Sequence, residues 1–163
     1  KETNSIIEKE NEIISSQTIR KLLQTGKLEI ANTLLGRRWC ITGTVEKGKQ
    51  QGREIGFPTA NVKMKKFLVP PLGVYITRSK VFSDKTSNTE NDWLPSISNI
   101  GTRPTVSGDC INLETHIFEL KNKSLELNLY GKRIKVELIK FLRAERKFNS
   151  LSELKKQISF RKG

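Results

Sequence analysis

The chain has 163 residues, enough for one domain with a hydrophobic core or for a small domain with an appendage. Its 30 lysines and arginines outnumber 17 acidic residues, so the net charge of +13 suits polyanions: nucleic acid, an anionic membrane surface or nucleotide phosphates. No apolar run approaches the ~18 residues of a membrane-spanning helix. The amino-terminal residues do not resemble a secretory signal, and we expect a cytoplasmic protein.

Two short helices are the first elements that the sequence predicts. Apolar residues recur at helical spacing between residues 15 and 36. Ser15 or Ser16 is the candidate N-cap, and Gly26 and Gly36 stand where helices end. Helices of this length cannot bury a core alone, so we expect them to dock on the remaining chain. We predict a helical segment over residues 1–36 and the main domain over residues 37–163.

β-branched runs broken by glycine and proline replace the helical pattern from Arg38 onward. The alternating segments that we interpret as strands include WCITGTVEKG, GVYITRSKVF, INLETHIFEL and RIKVELIKFL. Near the end, Ser150 and Glu153 form a capping box, which predicts a carboxy-terminal helix. The pattern indicates a mainly β fold, a small antiparallel barrel or sandwich of about six strands with a helix packed on it.

The residue inventory excludes several kinds of site. His116 is the only histidine, which argues against a histidine-based zinc site or a catalytic triad. The three aspartates fall in predicted loops, which argues against a carboxylate-rich metal cage. The sequence lacks the P-loop pattern and the GxGxxG pattern. The two cysteines, Cys40 and Cys110, are expected to be reduced thiols.

The segment GREIGFPTAN, residues 52–61, combines closely spaced glycines with neutral polar side chains. Closely spaced glycines indicate a tight turn or a backbone that a ligand must approach. Thr59 and Asn61 are two residues apart, so an extended strand would place both side chains on one face. Such a pair could hold a hydrated cation beside a phosphate, or it could be a polar strand edge after a hairpin.

Glu114 lies in an otherwise apolar strand pattern. The alternation of INLETHIFEL places Asn112, Glu114 and His116 on one face of the predicted strand. A glutamate in this position is either an exposed edge residue or a placed general base, and the residues alone leave both interpretations open.

Five blocks of sequence resemble the riboflavin kinase family. KGKQQGREIGFPTAN resembles the nucleotide loop and Pro-Thr-Ala-Asn motif of that family. The similarity runs from about Gly36 to the carboxy terminus, and the blocks that follow in the same order are PPLGVYI, SNIGTRPTV, LETHIF and LYGKRIKVELIKFLRAERKFNSLSELKKQI. The resemblance implies phosphorylation of the riboflavin 5′-hydroxyl by ATP, giving FMN and ADP, on a six-stranded antiparallel Greek-key barrel.

The helical segment ISSQTIRKLLQTGKLEIANTLLGR is similar to the link between the two modules of bacterial bifunctional riboflavin kinase/FMN adenylyltransferases. A chain with one histidine cannot form the His-x-Gly-His site of the adenylyltransferase module. The resemblance therefore implies that residues 1–36 are the tail of a missing amino-terminal adenylyltransferase module, which would be a partner in the full-length protein.

The resemblance also implies roles for individual residues. Glu114 would be the catalytic base, and Mg²⁺ would bind together with ATP through Thr59 and Asn61. The residues implied to bind ATP are Gly48, Gly52, Arg53, Thr59, Asn61 and Tyr130. The residues implied to bind the flavin are Arg103, Arg143 and Phe148. Members of the family often have proline where this chain has Ala144.

Two other classes of function compete with a kinase. A small basic barrel can bind single-stranded nucleic acid through aromatic side chains and a positive groove, but an aromatic content of 7% counts against this class. A flavin-binding module without catalytic activity is the second alternative. With the resemblance, we expect ATP and riboflavin as small-molecule partners, and neither nucleic acid nor a membrane.

Overall fold

The computed structural model describes residues 15–47, 58–64, 68–82, 93–105, 108–118 and 129–145. Two helices precede six strands along this part of the chain. The helices are α1 (Ser16–Gln24) and α2 (Leu28–Leu35). The strands are β1 (Cys40–Thr44), β2 (Ala60–Lys63), β3 (Gly73–Val81), β4 (Leu94–Thr105), β5 (Gly108–Ile117) and β6 (Arg133–Ala144). The predicted carboxy-terminal helix after Ser150 lies outside the described residues.

The two helices have the caps that the sequence predicts. The Ser15 hydroxyl accepts a hydrogen bond from the backbone N–H of Thr18 at 3.1 Å and caps α1. Gly26 follows α1 with a φ of 78°, and Gly36 ends α2 with a φ of 64°, conformations that favour glycine. Neither described helix is long and apolar enough to cross a membrane.

The six strands form one antiparallel sheet in the order β1-β6-β3-β4-β5-β2. The two outermost strands approach each other, because Glu46, just after β1, forms a β-bridge with Asn61 of β2. Gly43 permits this approach, since a Cβ atom there would lie 2.4 Å from Cγ1 of Val62. The sheet is therefore a nearly closed barrel, and the predicted six-stranded antiparallel Greek-key barrel after a helical segment is confirmed.

The barrel and the two helices share one hydrophobic core. Leu23, Leu28 and Ala31 are the buried residues of the helices, and each is at most 2% exposed. The strand residues in this core that are fully buried are Ile41, Tyr75, Ile100, Leu113, Ile134, Val136 and Leu138. Each of the helices is therefore docked on the barrel, as its length requires.

Part of the barrel interior is polar. Five hydroxyl groups, each at most 3% exposed, form a continuous chain of hydrogen bonds of 2.8–2.9 Å across β3, β4 and β5. The chain runs in the order Ser79, Ser96, Thr77, Ser98 and Thr115. Because each hydroxyl has a hydrogen-bonding partner, these groups avoid most of the cost of leaving water.

Candidate active site

The strand register brings three predicted site residues into one row. Glu114 on β5 is directly opposite Asn61 on β2 and Asn99 on β4. Asn99 is opposite Val74 on β3, and Val74 is opposite Arg143 on β6. We call these five residues the cross-strand row. Neighbouring strands lie about 4.8 Å apart, so Arg143 is roughly 14 Å from Glu114 along the row.

The cross-strand row lies on the outer face of the barrel. The adjacent row consists of Ala60, Thr115, Ser98 and Tyr75, which are at most 4% exposed and face the core. Successive side chains of a strand point to opposite faces, so the row members on β2, β3, β4 and β5 face away from the core. Arg143 is paired with one of them, Val74, next to a shift in the register between β3 and β6. Within it, Glu114 is half-buried between two amide-bearing neighbours and does not stand on an open edge.

Asn61 presents an oxygen atom that suits a cation. Its Nδ2 donates a hydrogen bond to the carbonyl oxygen of Thr59 at 3.2 Å. Its Oδ1 is buried and accepts no hydrogen bond from any residue that the structure describes. A buried polar oxygen without a partner is costly, and a bound cation would remove that cost. Amide and hydroxyl oxygens are ligands that Mg²⁺ accepts, so Asn61 and Thr59 fit this ion.

A cation at this site would depend on a second source of negative charge. Among the described residues, no cluster of three or more histidine, cysteine, aspartate or glutamate side chains could hold a metal ion. The amide of Asn61 and the hydroxyl of Thr59 carry no charge. A nucleotide that brings its own phosphates would supply the anionic ligands that these two residues lack.

Thr59 lies immediately before β2 and is half-buried. The preceding residue is held to β5, because His116 Nδ1 donates a hydrogen bond to the carbonyl oxygen of Pro58 at 2.9 Å. A carbonyl oxygen can only accept, so the proton of this bond is on Nδ1. The His116 ring also contacts the ring of Phe118 in a T-shaped arrangement, with the ring centroids 5.4 Å apart.

Tyr130 lies in a turn that packs against the end of β1. Gly131 adopts a φ of 78° and donates its N–H to the carbonyl oxygen of Val45 at 2.9 Å. The N–H of the next residue, Glu46, bonds to the carbonyl oxygen of Asn61 at 2.8 Å. The turn that contains Tyr130 is therefore hydrogen-bonded to the segment after β1, and that segment is hydrogen-bonded to β2 at Asn61. Gly48, Gly52 and Arg53 themselves lie outside the described residues.

The predicted flavin-binding residues are not all together. Arg143 is half-buried at the β6 end of the cross-strand row, and its side chain donates to the carbonyl oxygen of Ala144 at 3.2 Å. Arg103 lies four residues along β4 from Asn99, opposite Cys110, which places it about 13 Å from the row. Phe148 lies outside the described residues.

Gly73 allows β6 to pack closely against β3 at Arg143. A Cβ atom at residue 73 would lie 2.2 Å from the carbonyl oxygen of Arg143 and 3.0 Å from the Cα atom of Ala144. Only glycine permits β3 and β6 to pack this closely, and its φ of 155° is also one that other residues rarely adopt. The glycine of the PPLGVYI block therefore has a structural role in positioning the β6 end of the row.

Asn99 is a neighbour of Glu114 that no sequence pattern indicates as a site residue. Its amide Nδ2 donates to Oε1 of Glu145 at 3.4 Å, and it is the cross-strand neighbour of Glu114. The carboxylate of Glu145 lies over Gly101, where a Cβ atom would come within 2.0 Å of Oε1. Strand alternation places Asn99 and Gly101 on one face, but only the register reveals that this face carries Glu114.

Comparisons with known proteins show the family of the chain. A family model described as flavokinase, riboflavin kinase, matches residues 35–160. The chain belongs to the riboflavin kinase family. This riboflavin kinase domain is 41% identical over 146 residues to the bifunctional riboflavin kinase/FMN adenylyltransferase of Escherichia coli K12. It is 39% identical over 149 residues to the enzyme of the same name from Bacillus subtilis.

The riboflavin kinase domain spans less than half of the length of these curated relatives. The match covers 90% of the chain but 43% of the Escherichia coli protein, and 89% of the chain but 43% of the Bacillus subtilis protein. Among solved structures, the barrel resembles a protein described as a macrolide-efflux protein from Streptococcus pneumoniae, with a TM-score of 0.74 and 27% identity. That match covers 91% of this chain and 45% of the other, and it shows similarity of fold.

Proposed function

We propose that this riboflavin kinase domain transfers the γ-phosphoryl group of ATP to the 5′-hydroxyl of riboflavin and releases FMN and ADP. The cross-strand row carries the proposal: Asn61 and Glu114 are directly opposite each other, and Arg143 is in the same row. One end of the row offers a cation-binding oxygen beside a carboxylate, and the other offers a guanidinium. Riboflavin has a hydroxylated chain at one end and a flat ring system at the other, which suits this separation.

Glu114 is the proposed general base. A primary hydroxyl is a weak nucleophile until a base accepts its proton, and glutamates are ordinarily ionised at neutral pH. The carboxylate of Glu114 accepts the proton of the 5′-hydroxyl as the bond to the γ-phosphorus forms and the bond to the ADP oxygen breaks. Phosphoryl transfer requires alignment and charge neutralisation more than covalent chemistry, so Glu114 supplies only part of the rate.

The nucleotide side of the site contains Asn61 and Thr59. Mg²⁺ bound with ATP would neutralise phosphate charge, and the Asn61 Oδ1 atom and the Thr59 hydroxyl would hold the ion. The buried, unpartnered oxygen of Asn61 supports this assignment. From the resemblance, we further propose that the glycine-rich segment closes around the phosphates and that Tyr130 lines the adenine pocket. The residues assigned to the phosphates are Gly48, Gly52 and Arg53.

The flavin side of the site contains Arg143. Its planar guanidinium suits a flat aromatic ring, and it is far enough from Glu114 for the ribityl chain to lie between them. We include Arg103 and Phe148 in the flavin site on the resemblance alone. The distance of Arg103 from the row suggests contact with an outer part of the ring system.

The proposal extends to a longer protein. Relatives that this chain matches are named for FMN adenylyltransferase activity as well as for riboflavin kinase activity. We propose that residues 1–36 belong to the tail of such an adenylyltransferase module, that residues 37–163 are the kinase domain, and that the enzyme works in the cytoplasm where ATP is available.

The direct test is incubation of the chain with riboflavin, ATP and Mg²⁺, followed by chromatography. FMN and ADP should accumulate in equal amounts and FAD should be absent. Riboflavin binding without ADP formation would replace the proposal with a non-catalytic flavin-binding module. Binding of oligo-dT without quenching of riboflavin fluorescence would replace it with a nucleic-acid-binding barrel.

Glu114→Gln tests the assignment of the base. Glutamine preserves the size of the side chain and can hydrogen-bond to the hydroxyl, but it cannot accept the proton. We expect unchanged affinities for riboflavin and ATP and a kcat lower by roughly 10²–10⁴-fold, the usual effect of losing a general base. Circular dichroism would verify the fold. A kcat within about threefold of wild type would show that Glu114 is not the base.

A further inference from the structure

The backbone pairing between β2 and β5 includes Asn61, one of the two predicted metal ligands, but ends before Thr59, the other. Its last pair is Ala60 opposite Thr115, so Asn61 lies inside the ladder and Thr59 lies beyond it. Pro58 has no backbone N–H and cannot donate to a continued ladder. The imidazole of His116 replaces the missing backbone pairing, because its Nδ1 donates to the Pro58 carbonyl oxygen at 2.9 Å.

Thr59 is therefore held on both sides by side chains. The peptide before it is fixed by the bond from His116 to the Pro58 carbonyl oxygen. The peptide after it is fixed by Asn61, whose Nδ2 donates to the Thr59 carbonyl oxygen at 3.2 Å. Fixing the two peptide planes that flank a Cα atom fixes the direction of its Cα–Cβ bond, and so the point from which the Thr59 hydroxyl extends.

The same bonds orient the Asn61 side chain. An amide whose Nδ2 is bound to the Thr59 carbonyl oxygen must present Oδ1 on its opposite side, where that atom is buried without a described partner. If the Pro58–Thr59 segment shifted, this bond would lengthen and Oδ1 would turn with the amide. The position of both candidate ligands therefore depends on the bond from β5.

We propose that His116 is a positioning residue for the cation-and-nucleotide site, one that aligns the Thr59 hydroxyl and Asn61 Oδ1 without touching the substrate. The inference rests on the proposed function only in naming the nucleotide as the ligand. The ring of His116 contacts the ring of Phe118, the residue that follows β5, and Ile97 is its cross-strand neighbour on β4.

Three substitutions separate the hydrogen bond from the bulk of the ring. His116→Asn places an amide N–H close to the position of Nδ1 and should preserve the bond to the Pro58 carbonyl oxygen. His116→Gln moves the amide outward, toward the position of Nε2, and should lose the bond. His116→Phe preserves a planar ring against Phe118 but has no donor.

The measurement is the affinity of each variant for ADP by calorimetry, once with Mg²⁺ and once with EDTA. In His116→Phe and His116→Gln, we expect a loss of about tenfold with Mg²⁺, the effect of one hydrogen bond of ordinary strength. We expect unchanged affinity in EDTA and unchanged affinity for riboflavin. His116→Asn should remain within about threefold of wild type in all three measurements.

The inference would be overturned if His116→Gln bound ADP in Mg²⁺ as tightly as the wild type does. It would also be overturned if the variant lost the same ADP affinity in EDTA as in Mg²⁺. If His116→Phe does not fold, the comparison of His116→Asn with His116→Gln decides the matter. The proposed function is judged separately, by FMN formation in the wild-type chain. A wild-type chain that makes no FMN but shows the Mg²⁺-specific loss would contradict the kinase assignment and support the role of His116.

Discussion

Asn61 uses the two ends of one amide for different purposes. The nitrogen fixes the backbone of Thr59, while the oxygen remains available in a buried position. The two-residue spacing of Thr59 and Asn61 predicts that their side chains share one face of an extended strand. That Glu114 lies directly opposite Asn61 does not follow from spacing, because the two strands are about 50 residues apart and their register depends on the whole sheet.

The buried hydroxyl of Tyr75 makes the free energy of unfolding depend on pH in alkaline solution. The side chain is fully buried, its hydroxyl donates to the carbonyl oxygen of Pro71, and burial raises the pKa of Tyr75 above its ordinary value of 10.0. The folded state therefore retains a proton that the unfolded chain releases above about pH 10, and the free energy of unfolding falls as the pH rises through that value.

Tyr75→Phe removes this titration along with the hydrogen bond. We expect the variant to be less stable than wild type at pH 8, but to lose stability less steeply above pH 10. The difference between the two slopes should approach ~1.4 kcal/mol per pH unit. Urea unfolding between pH 8 and pH 11 measures both slopes, and parallel curves would contradict the prediction.

The strands illustrate what periodicity predicts and what it misses. Alternation identifies the runs that become β1, β3, β5 and β6, because one face of each is apolar. It does not predict that Thr77, Ser79, Ser96 and Ser98 face the interior, since hydroxyl groups ordinarily indicate the solvent side. Their mutual hydrogen bonds make the interior position tolerable, and such pairing is visible only when the strands are assembled.

Two glycines on neighbouring strands should differ in their tolerance of alanine. At Gly73 the added methyl group meets the carbonyl oxygen of Arg143 at 2.2 Å, and that backbone cannot move without breaking the pairing of β3 with β6. At Gly101 the methyl group meets the carboxylate of Glu145, the end of a flexible side chain that can rotate away. We expect Gly73→Ala to lower the free energy of unfolding by at least about 1–3 kcal/mol.

Gly101→Ala is the matched control and should change the free energy of unfolding by less than about 1 kcal/mol. Chemical unfolding of the two variants and the wild type supplies the comparison. Equal destabilisation by both substitutions would show that the close packing of β3 on β6 is not what requires glycine at residue 73.

The side chain of Asn32 links the helices to the barrel in addition to the core that they share. Asn32 on α2 accepts a hydrogen bond from the backbone N–H of Trp39 at 2.7 Å and donates to the carbonyl oxygen of Leu138 on β6 at 3.2 Å. The proposed boundary after residue 36 thus separates segments that share a core. The boundary is predicted from the change between helical and strand periodicity. Periodicity does not predict which side chains on the two sides of the boundary pack together.

Asn32→Ala should reveal this link. The substitution leaves the Trp39 N–H and the Leu138 carbonyl group without a partner, and we expect a loss of roughly 1–3 kcal/mol in the free energy of unfolding. Helix content and barrel content should still disappear in one transition, followed by circular dichroism and by tryptophan fluorescence. Early loss of the helical signal alone would show that the helices unfold independently of the barrel.

The cross-strand row also limits how the chain can change in length. Each of its five members comes from a different strand, and the side chains along β4 alternate between the two faces of the sheet. Inserting or deleting one residue within β4 ahead of Asn99 would turn that side chain toward the core and bring an interior hydroxyl residue to the outer face. Length differences among members of the family that retain the row should therefore be confined to the connections between strands.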